Sequence, residues 1–572
     1  MPSSPPADLD CLFLHVPKAA NHYLPLGDFF NVTYMPMGLP ALANWANRGG
    51  YRTQIVHLGV EWIRDPAFDL VRWLDGARVK SFGLPLYWHY QTYDVIEVAR
   101  RLKARAPDAL VFLGGLTAGY FAEQILAAVP EIDAIVQGPG EGAITSLLAA
   151  ARRGDRSGLV DAWIRDETGR IHRTPASTTR PSLDELVYGD LSMLHGADTY
   201  ADLFGFPLAY STELGPAQNR ARLASGRGKF PLFIGRGCPW SCSFCGGNRD
   251  TLRRVNGTAR PEWRSIACVV DDVRRAIDHG YRSISTCFDP IPERDDYYVT
   301  LFETIARERL QVDWYFESWG LPTERFARAF KRAFPGPRST IALSPDAGDE
   351  DVRRRNKQPF YDDHALTTAM RMLAEQDVPT DVFYTLALPG ETLAGAARTR
   401  DQMARLRSFP NARRVMVWTV QLEPGSPQFE RPGDCGMITD RRDFIDYYRV
   451  HGGQHGDTYS SLGFKVLDYF GDQRDDGSIA DFERHVQAFK CSDLCFLSAD
   501  PREPVAPASG RAHCLERRRE LAAIRGTPAP ARTLSADYAY DDAVAAEVPK
   551  RAARFHWLEP VARPLGEPGS GS

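Results

Sequence analysis

The sequence has no run approaching the ~20 consecutive apolar residues that cross a bilayer, and its first residues, MPSSPPADLD, carry neither a basic segment nor an apolar one of the secretory type. A cytoplasmic protein with no membrane partner is the expectation. An excess of one charge is also missing: 69 Lys and Arg are interleaved with 73 Asp and Glu, for a net charge of -4. Without a basic stripe there is nothing to neutralise a phosphate backbone, so no nucleic-acid partner is expected. Cysteine is scarce, ten in 572 residues, which does not suit the dense disulfide framework of a small secreted domain. Where thiols nevertheless cluster in such a chain, metal ligation is the better reading.

Apolar residues make up 43% and charged residues 25%, the balance of an ordinary folded protein rather than a disordered or fibrous one. A chain of 572 residues outgrows one hydrophobic core, so two or three domains are expected. Over residues 1–150, short apolar runs such as CLFLHV, TQIVHLG, ALVFLGG and DAIVQG alternate with runs of helical period. That pattern belongs to parallel βαβ units in an α/β, doubly wound sheet. Residues 151–229 lose the periodicity and read as a linker, with a small hairpin around IRDETGRIHR and then an extended crossing rich in Pro, Ser and Thr. Residues 230–427 hold six βα repeats, from FPLFIGRG to VMVWTVQLEPGS, which predict a partial (β/α)6 barrel of TIM type with function at the C-terminal ends of its strands. Residues 428–572 read as a small, mostly helical C-terminal domain with a flexible tail.

Just after the first barrel strand, FIGRGCPWSCSFCGGNR places Cys238, Cys242 and Cys245 within eight residues. Three thiolates on one loop suit a soft cation, zinc or an iron-sulfur cluster. A structural zinc site closes with a fourth Cys or His, which GGNRDTLRRVNG does not supply, whereas a 4Fe-4S cluster on three thiolates keeps one iron open. The spacing, the aromatic Phe244 before the last cysteine, and the strand context resemble the radical SAM superfamily. That resemblance implies that Cys238, Cys242 and Cys245 ligate a 4Fe-4S cluster whose open iron holds S-adenosylmethionine. It further implies that Gly246 and Gly247 face the methionine end, where only glycine permits so close an approach. Glu317 in YFESWG ends the third strand and would face the barrel mouth. Ser344 and Asp346 in IALSPDAGDE would contact the ribose or carboxylate, and Leu388 to Glu391 in LALPGET the adenine.

The first domain has no dinucleotide fingerprint, but its loops resemble those of the Rossmann-like cobalamin-binding domain that precedes the barrel in one branch of that superfamily. Pro36, Gly38 and Leu39 open the first helix, Gly114 and Gly115 follow a later strand, and Gly138, Gly140 and Glu141 follow the last. The resemblance implies that Gly114 to Thr117 and Gly138 to Glu141 contact the corrin or its nucleotide tail. No Asp-x-His-x-x-Gly motif offers cobalt a histidine, so Tyr87, Trp88 and His89 in LPLYWHYQ are the candidates for the lower face of the ring. His89 reads equally well as a hydrogen-bonded loop histidine.

Among the other cysteines, Cys435, Cys491, Cys495 and Cys514 could hold an auxiliary cluster, although their irregular spacing favours buried thiols. Cys287 in STCFDP reads as a small core residue, with hydrogen-atom donation or substrate contact as the alternative. The family resemblance implies a cobalamin-dependent radical SAM methyltransferase. One SAM would supply a methyl group to cobalamin and a second would yield the radical that opens an unactivated carbon. The alternative keeps both cofactors but performs cyclisation, ring contraction or redox rearrangement. The implied partners are a small-molecule substrate, or a peptide, and an electron donor such as flavodoxin or ferredoxin. The chain is expected to act as a monomer.

Overall fold

A computed structural model of the chain describes residues 8–17, 28–29, 35–64, 68–178, 180–197, 200–203, 210–211, 229–291, 294–435, 437–439, 441–452 and 464–466. Its first domain is a seven-stranded sheet. The strands are β1 (Cys11–His15), β2 (Thr53–His57), β3 (Ser81–Pro85), β4 (Leu110–Gly114), β5 (Ala134–Val136), β6 (Ala162–Arg165) and β7 (Ile171–Arg173), in spatial order β7-β6-β5-β4-β3-β1-β2. From β5 to β2 all neighbours are parallel. The central strands read as unbroken apolar runs because helices cover both faces, and β1 is buried along its whole length. Those helices include α1 (Gly38–Arg48), α2 (Thr92–Arg105), α3 (Leu116–Tyr120) and α4 (Gly140–Arg153). Strand order reverses around β1, so the crevice beyond the carboxyl ends of β1 and β3 is where such a sheet takes a ligand.

Two parts of the expected linker belong to this sheet instead. The hairpin of β6 and β7 pairs antiparallel with β5 through Ile135 and Trp163, covering an edge that would otherwise expose unpaired backbone groups. At the opposite edge, Ile55 N donates to Met193 O at 2.8 Å and His195 N to Ile55 O at 2.8 Å. The first folded unit thus extends past residue 150.

At the base of the sheet the buried Asp10 carboxylate accepts from Arg152 (2.9 and 2.6 Å), Lys80 (3.0 Å) and the backbone N of Arg52 (2.9 Å). The Arg152 guanidinium, helped by Arg52 and Lys80 and opposed by burial, holds its pKa well below the usual carboxylate range. This stabilisation is complete above the unfolded-state pKa of about 3.9 and is lost as pH falls towards the folded value. Asp10→Asn is expected to lower unfolding free energy by about 1–3 kcal/mol at neutral pH. Urea titrations should show the two proteins converging as pH drops below about 4. Equal stability at neutral pH would remove Asp10 from this role.

The second domain is a six-stranded open barrel wall: β8 (Lys229–Pro231), β9 (Ser283–Thr286), β10 (Asp313–Ser318), β11 (Thr340–Asp346), β12 (Thr380–Leu386) and β13 (Ala412–Thr419). These lie in sequence order with every pair parallel, as the six βα repeats predict. Along β10, Trp314 and Phe316 pack outward on the aromatic rings of α7 (Arg294–Arg307) and α8 (Glu324–Ala333), as in Trp314–Phe302 at 5.7 Å and Phe316–Phe326 at 4.9 Å. By strand alternation Tyr315 and Glu317 then point into the barrel. Other helices on this domain are α5 (Arg249–Asn256) and α6 (Ile266–Asp278) before them, and α9 (Glu350–Asn356), α10 (Asp363–Glu375) and α11 (Leu393–Arg407) after them.

The described part of the C-terminal region packs back on the first domain. Tyr448 of α12 (Phe444–Gly452) donates to Glu97 of α2 at 2.7 Å, and Phe444 N donates to Gln124 at 2.8 Å. Cys491, Cys495 and Cys514 lie outside the described residues, so the auxiliary-cluster reading does too. Among the described residues, no helix is long and apolar enough to cross a membrane.

Candidate functional site

The cysteine loop leaves the barrel after β8 and is tied at several points to the far side of the same mouth. Gln358 N donates to Cys242 Sγ at 3.3 Å, and the Cys242 thiol faces Gln358 O at 3.4 Å. Ser243 N donates to Asn356 O at 3.0 Å. Asn248 caps α5 by accepting from Asp250 N and Thr251 N at 2.8 and 3.1 Å, while its amide donates to Cys245 O at 2.7 Å and Gly425 O at 2.8 Å. Gly246 N donates to Glu423 Oε2 at 2.6 Å, and a Cβ at Gly246 would lie 2.7 Å from Pro424 O, so this position requires glycine. At Gly247, by contrast, a Cβ would make only ordinary contacts, with Cys245 Sγ at 3.7 Å and Leu116 at 3.8 Å.

Cys238, Cys242 and Cys245 are free, half-buried thiols. Burial pushes Cys238 up to about 11, and pushes Cys245 well above the usual thiol range with help from Glu423 and the two other thiols. The polypeptide alone therefore does not stabilise three thiolates here, which is the task of a bound cation. Among the described residues, no three His, Cys, Asp or Glu side chains are grouped to hold a single metal ion. A 4Fe-4S cluster accepts each thiolate on a different iron. The donor set fits a 4Fe-4S cluster.

Around the mouth, Glu317 is half-buried inside the barrel, and burial pushes it up to about 7 against the pull of Lys229. Ser344 sits half-buried at the irregularity in β11 between Leu343 and Asp346. One oxygen of Asp346 accepts from Thr385 at 3.1 Å and the other pairs with the buried Lys357 at 2.9 Å. Leu388 is fully buried and its carbonyl accepts from Glu391 N at 2.9 Å, so it presents no side chain to an adenine. Glu391 closes that turn from within by accepting from Ala387 N at 2.6 Å. Lys357 and Glu423 escaped the sequence reading, although RRRNKQ and LEPGS carry them. Cys287, expected in the core, is exposed and lies beside Glu317 across the β9–β10 register.

One loop by which the first domain reaches this mouth carries Tyr87. Tyr87 is 44% exposed, the largest exposure of any bulky apolar side chain among the described residues. Burial nevertheless pushes its hydroxyl up to about 12, followed by the influence of Cys287, Cys245 and Glu423. The loop is fixed from beneath: Thr117 Oγ1 donates to Tyr87 O at 2.8 Å, and Gly115, at φ 101°, lets Leu86 O approach to where a Cβ would be 2.9 Å away. Trp88 lies edge-on to Tyr87 at 5.1 Å and stacks on Tyr90. His89 is buried against Tyr447 at 5.2 Å, and burial pushes it down to about 3.

Pro36 accepts from Leu39 N at 3.0 Å, and a Cβ at Gly38 would meet nothing within 4 Å, leaving the start of α1 open for a bulky ligand. Leu39 is buried, and Gly114 lies half-buried at the end of β4. The turn Gly138 to Glu141 also meets the second domain. Glu141 Oε1 accepts from Arg236 Nη1 at 2.8 Å, and Arg236 also donates to Glu262 at 2.9 Å. Gln137 donates to the carbonyls of Val255 and Arg254, and Gly138 and Gly140 face Asn256 and Leu42. Both flanks of the cysteine loop, Arg236 before it and α5 after it, are thus clamped by one turn of the first domain.

The sequence matches the family described as B12 binding domain over residues 27–148 and the Radical SAM superfamily over residues 232–403. These domains bring cobalamin to the first and a 4Fe-4S cluster with S-adenosylmethionine to the second. Hopanoid C-3 methylase from Methylococcus capsulatus is 26% identical over 303 residues, 52% of this chain and 50% of that protein. Anaerobic magnesium-protoporphyrin IX monomethyl ester cyclase from Rubrivivax gelatinosus is 28% identical over 160 residues, 27% of this chain and 24% of that protein. The chain therefore spans half or less of the length of these relatives. The radical S-adenosylmethionine methyltransferase TsrM from Kitasatospora setae shares the fold with a TM-score of 0.56 at 16% identity, covering 77% of this chain and 82% of its own.

Proposed function

We propose that this chain, a radical SAM enzyme with a cobalamin-binding domain, moves a methyl group from S-adenosylmethionine to an unactivated carbon of a small molecule. The observation that carries the proposal is Tyr87: this residue of the cobalamin-binding domain is close enough to Cys245 and the barrel-mouth residues Cys287 and Glu423 for their charges to act on its hydroxyl. A cluster held by Cys238, Cys242 and Cys245 would supply the electron that cleaves S-adenosylmethionine, and cobalamin held by the first domain would supply a carrier for its methyl group. The remaining work falls to this chain's own residues. Gln358, Asn356 and Asn248 hold the cysteine loop in place, and Glu423 fixes the backbone at Gly246. Gly38 and Gly115 keep the first domain's loops low enough for a corrin, and Tyr87 rather than His89 is the group we assign to its lower face.

Support for methyl transfer comes from the relative named a methylase and the structural neighbour named a methyltransferase. A second reading, cyclisation or rearrangement without methyl transfer, has its support in the relative named a cyclase. A small polar substrate suits the barrel interior, where Cys287, Tyr315, Glu317 and Ser344 point polar groups inward from adjacent strands and the buried Tyr315 hydroxyl has no hydrogen-bond partner. A peptide entering the same mouth is the alternative. A cytoplasmic, monomeric enzyme fed by an external electron donor completes the proposal, because a thiolate-held cluster needs a reducing compartment. S-adenosylmethionine carrying a trideuteromethyl group tests it: the label should appear intact in the product. An unlabelled, isomerised product would favour the second reading.

A further inference from the structure

The outer side of the cysteine loop carries a charge pattern that the reaction in the barrel does not use. A shallow open depression there is lined by Pro239, Arg249, Arg253 and Arg260, with Gly257 to Ala259 at its rim. Pro239 directly follows Cys238, and Arg249 N donates to Trp240 O at 2.8 Å, so the wall of the depression is the cysteine loop itself. Arg253 and Arg260 are exposed, and Arg249 is half-exposed. Among the described residues their acidic partner is Asp250, which lies 3.2 Å from Arg249 and 3.7 Å from Arg253 and is itself largely open to water. Arg254, next along α5, extends the patch towards Glu430. In a chain whose overall charge is -4, a local surplus of cations packed against the first cluster ligand stands apart from the average surface.

We infer that this arginine-lined depression is the docking site of an acidic one-electron carrier protein. The inference rests on the cluster assigned above but not on the fate of the methyl group. The electron balance is simple: the carrier is oxidised by one electron, the cluster is reduced by one, and no bond or proton changes at the contact. A positive patch raises the encounter rate of an acidic partner by about 10-fold to 1000-fold at low salt. It also places that partner against Pro239, one residue from a thiolate that holds iron. Lysine or arginine on the far side of the barrel would give the first benefit without the second.

The test uses holoenzyme and two reductants, chemically reduced flavodoxin and dithionite, with bleaching of the cluster followed by stopped-flow absorbance. The double variant Arg253→Glu with Arg260→Glu should slow reduction by flavodoxin about tenfold or more at low ionic strength. Reduction by dithionite should not change. Raising salt to about 0.5 M should slow the wild type towards the variant and leave the variant nearly unaffected. Arg260→Gln alone, which removes a charge without reversing it, should give a smaller loss of the same kind. Wild-type rates with flavodoxin in the double variant would overturn the inference. So would an equal loss with dithionite, which would assign these arginines to the environment of the cluster rather than to docking.

Discussion

Cys242→Ala is expected to strip the cluster and to cut formation of 5'-deoxyadenosine by more than about 100-fold, since losing even an outer-shell partner of a metal site costs 10- to 100-fold. Cys242 is the central thiol of the loop and the one tied across the barrel mouth to Gln358. With only Cys238 and Cys245 left, two irons of the cluster would lack protein ligands. Iron analysis and visible absorbance check this directly. A variant that keeps its absorbance with three or more irons per chain would move the cluster away from this loop. The first domain offers a control, because its cobalamin should remain bound when the cluster is lost.

The second large effect is expected at Lys357, next to that thiol. Its ammonium is buried and paired with Asp346 at 2.9 Å. Burial opposes the charged form, but Asp346, Tyr361 and Cys242 together hold its pKa above the usual lysine range. Lys357→Met leaves the Asp346 carboxylate buried with Thr385 as its remaining neutral partner. Breaking a buried pair in this way costs about 3–5 kcal/mol, whereas replacing both members with apolar groups is often neutral. Denaturant titration should show a large loss in Lys357→Met and partial recovery when Asp346→Leu is added. A single variant as stable as the wild type would mean that the pair contributes nothing to the barrel mouth.

Those two residues also show what the sequence made legible. The spacing of Cys238, Cys242 and Cys245 sets their chemistry without reference to distant residues, and the alternation of apolar runs sets the order of the strands. The strand order recurs in the structure. Glu141 was different, because a glycine turn followed by an acid resembles a cofactor loop, while its partner Arg236 lies in the other domain. Nothing local distinguishes glycines that admit a corrin from glycines that admit a neighbouring helix. The same limit applies to the pairing of Asp346 with Lys357 and to the packing of His89 on Tyr447 of α12, which lies far along the chain. The hairpin of β6 and β7 read as linker because its two strands are short and only one alternates in burial. Its place was decided by the open edge of β5, a property of the sheet rather than of the hairpin.

The two-domain geometry has one chemical consequence that matters most. If the two domains bring both cofactors together near Tyr87, Cys245 and Cys287, each turnover should consume S-adenosylmethionine in two ways. The most direct measurement quantifies both small products together, in anaerobic holoenzyme with trideuteromethyl S-adenosylmethionine and a turning-over substrate. The account predicts S-adenosylhomocysteine and 5'-deoxyadenosine in equal amounts, matched by product carrying the intact labelled methyl group. Product formed with 5'-deoxyadenosine but without S-adenosylhomocysteine or label would contradict it.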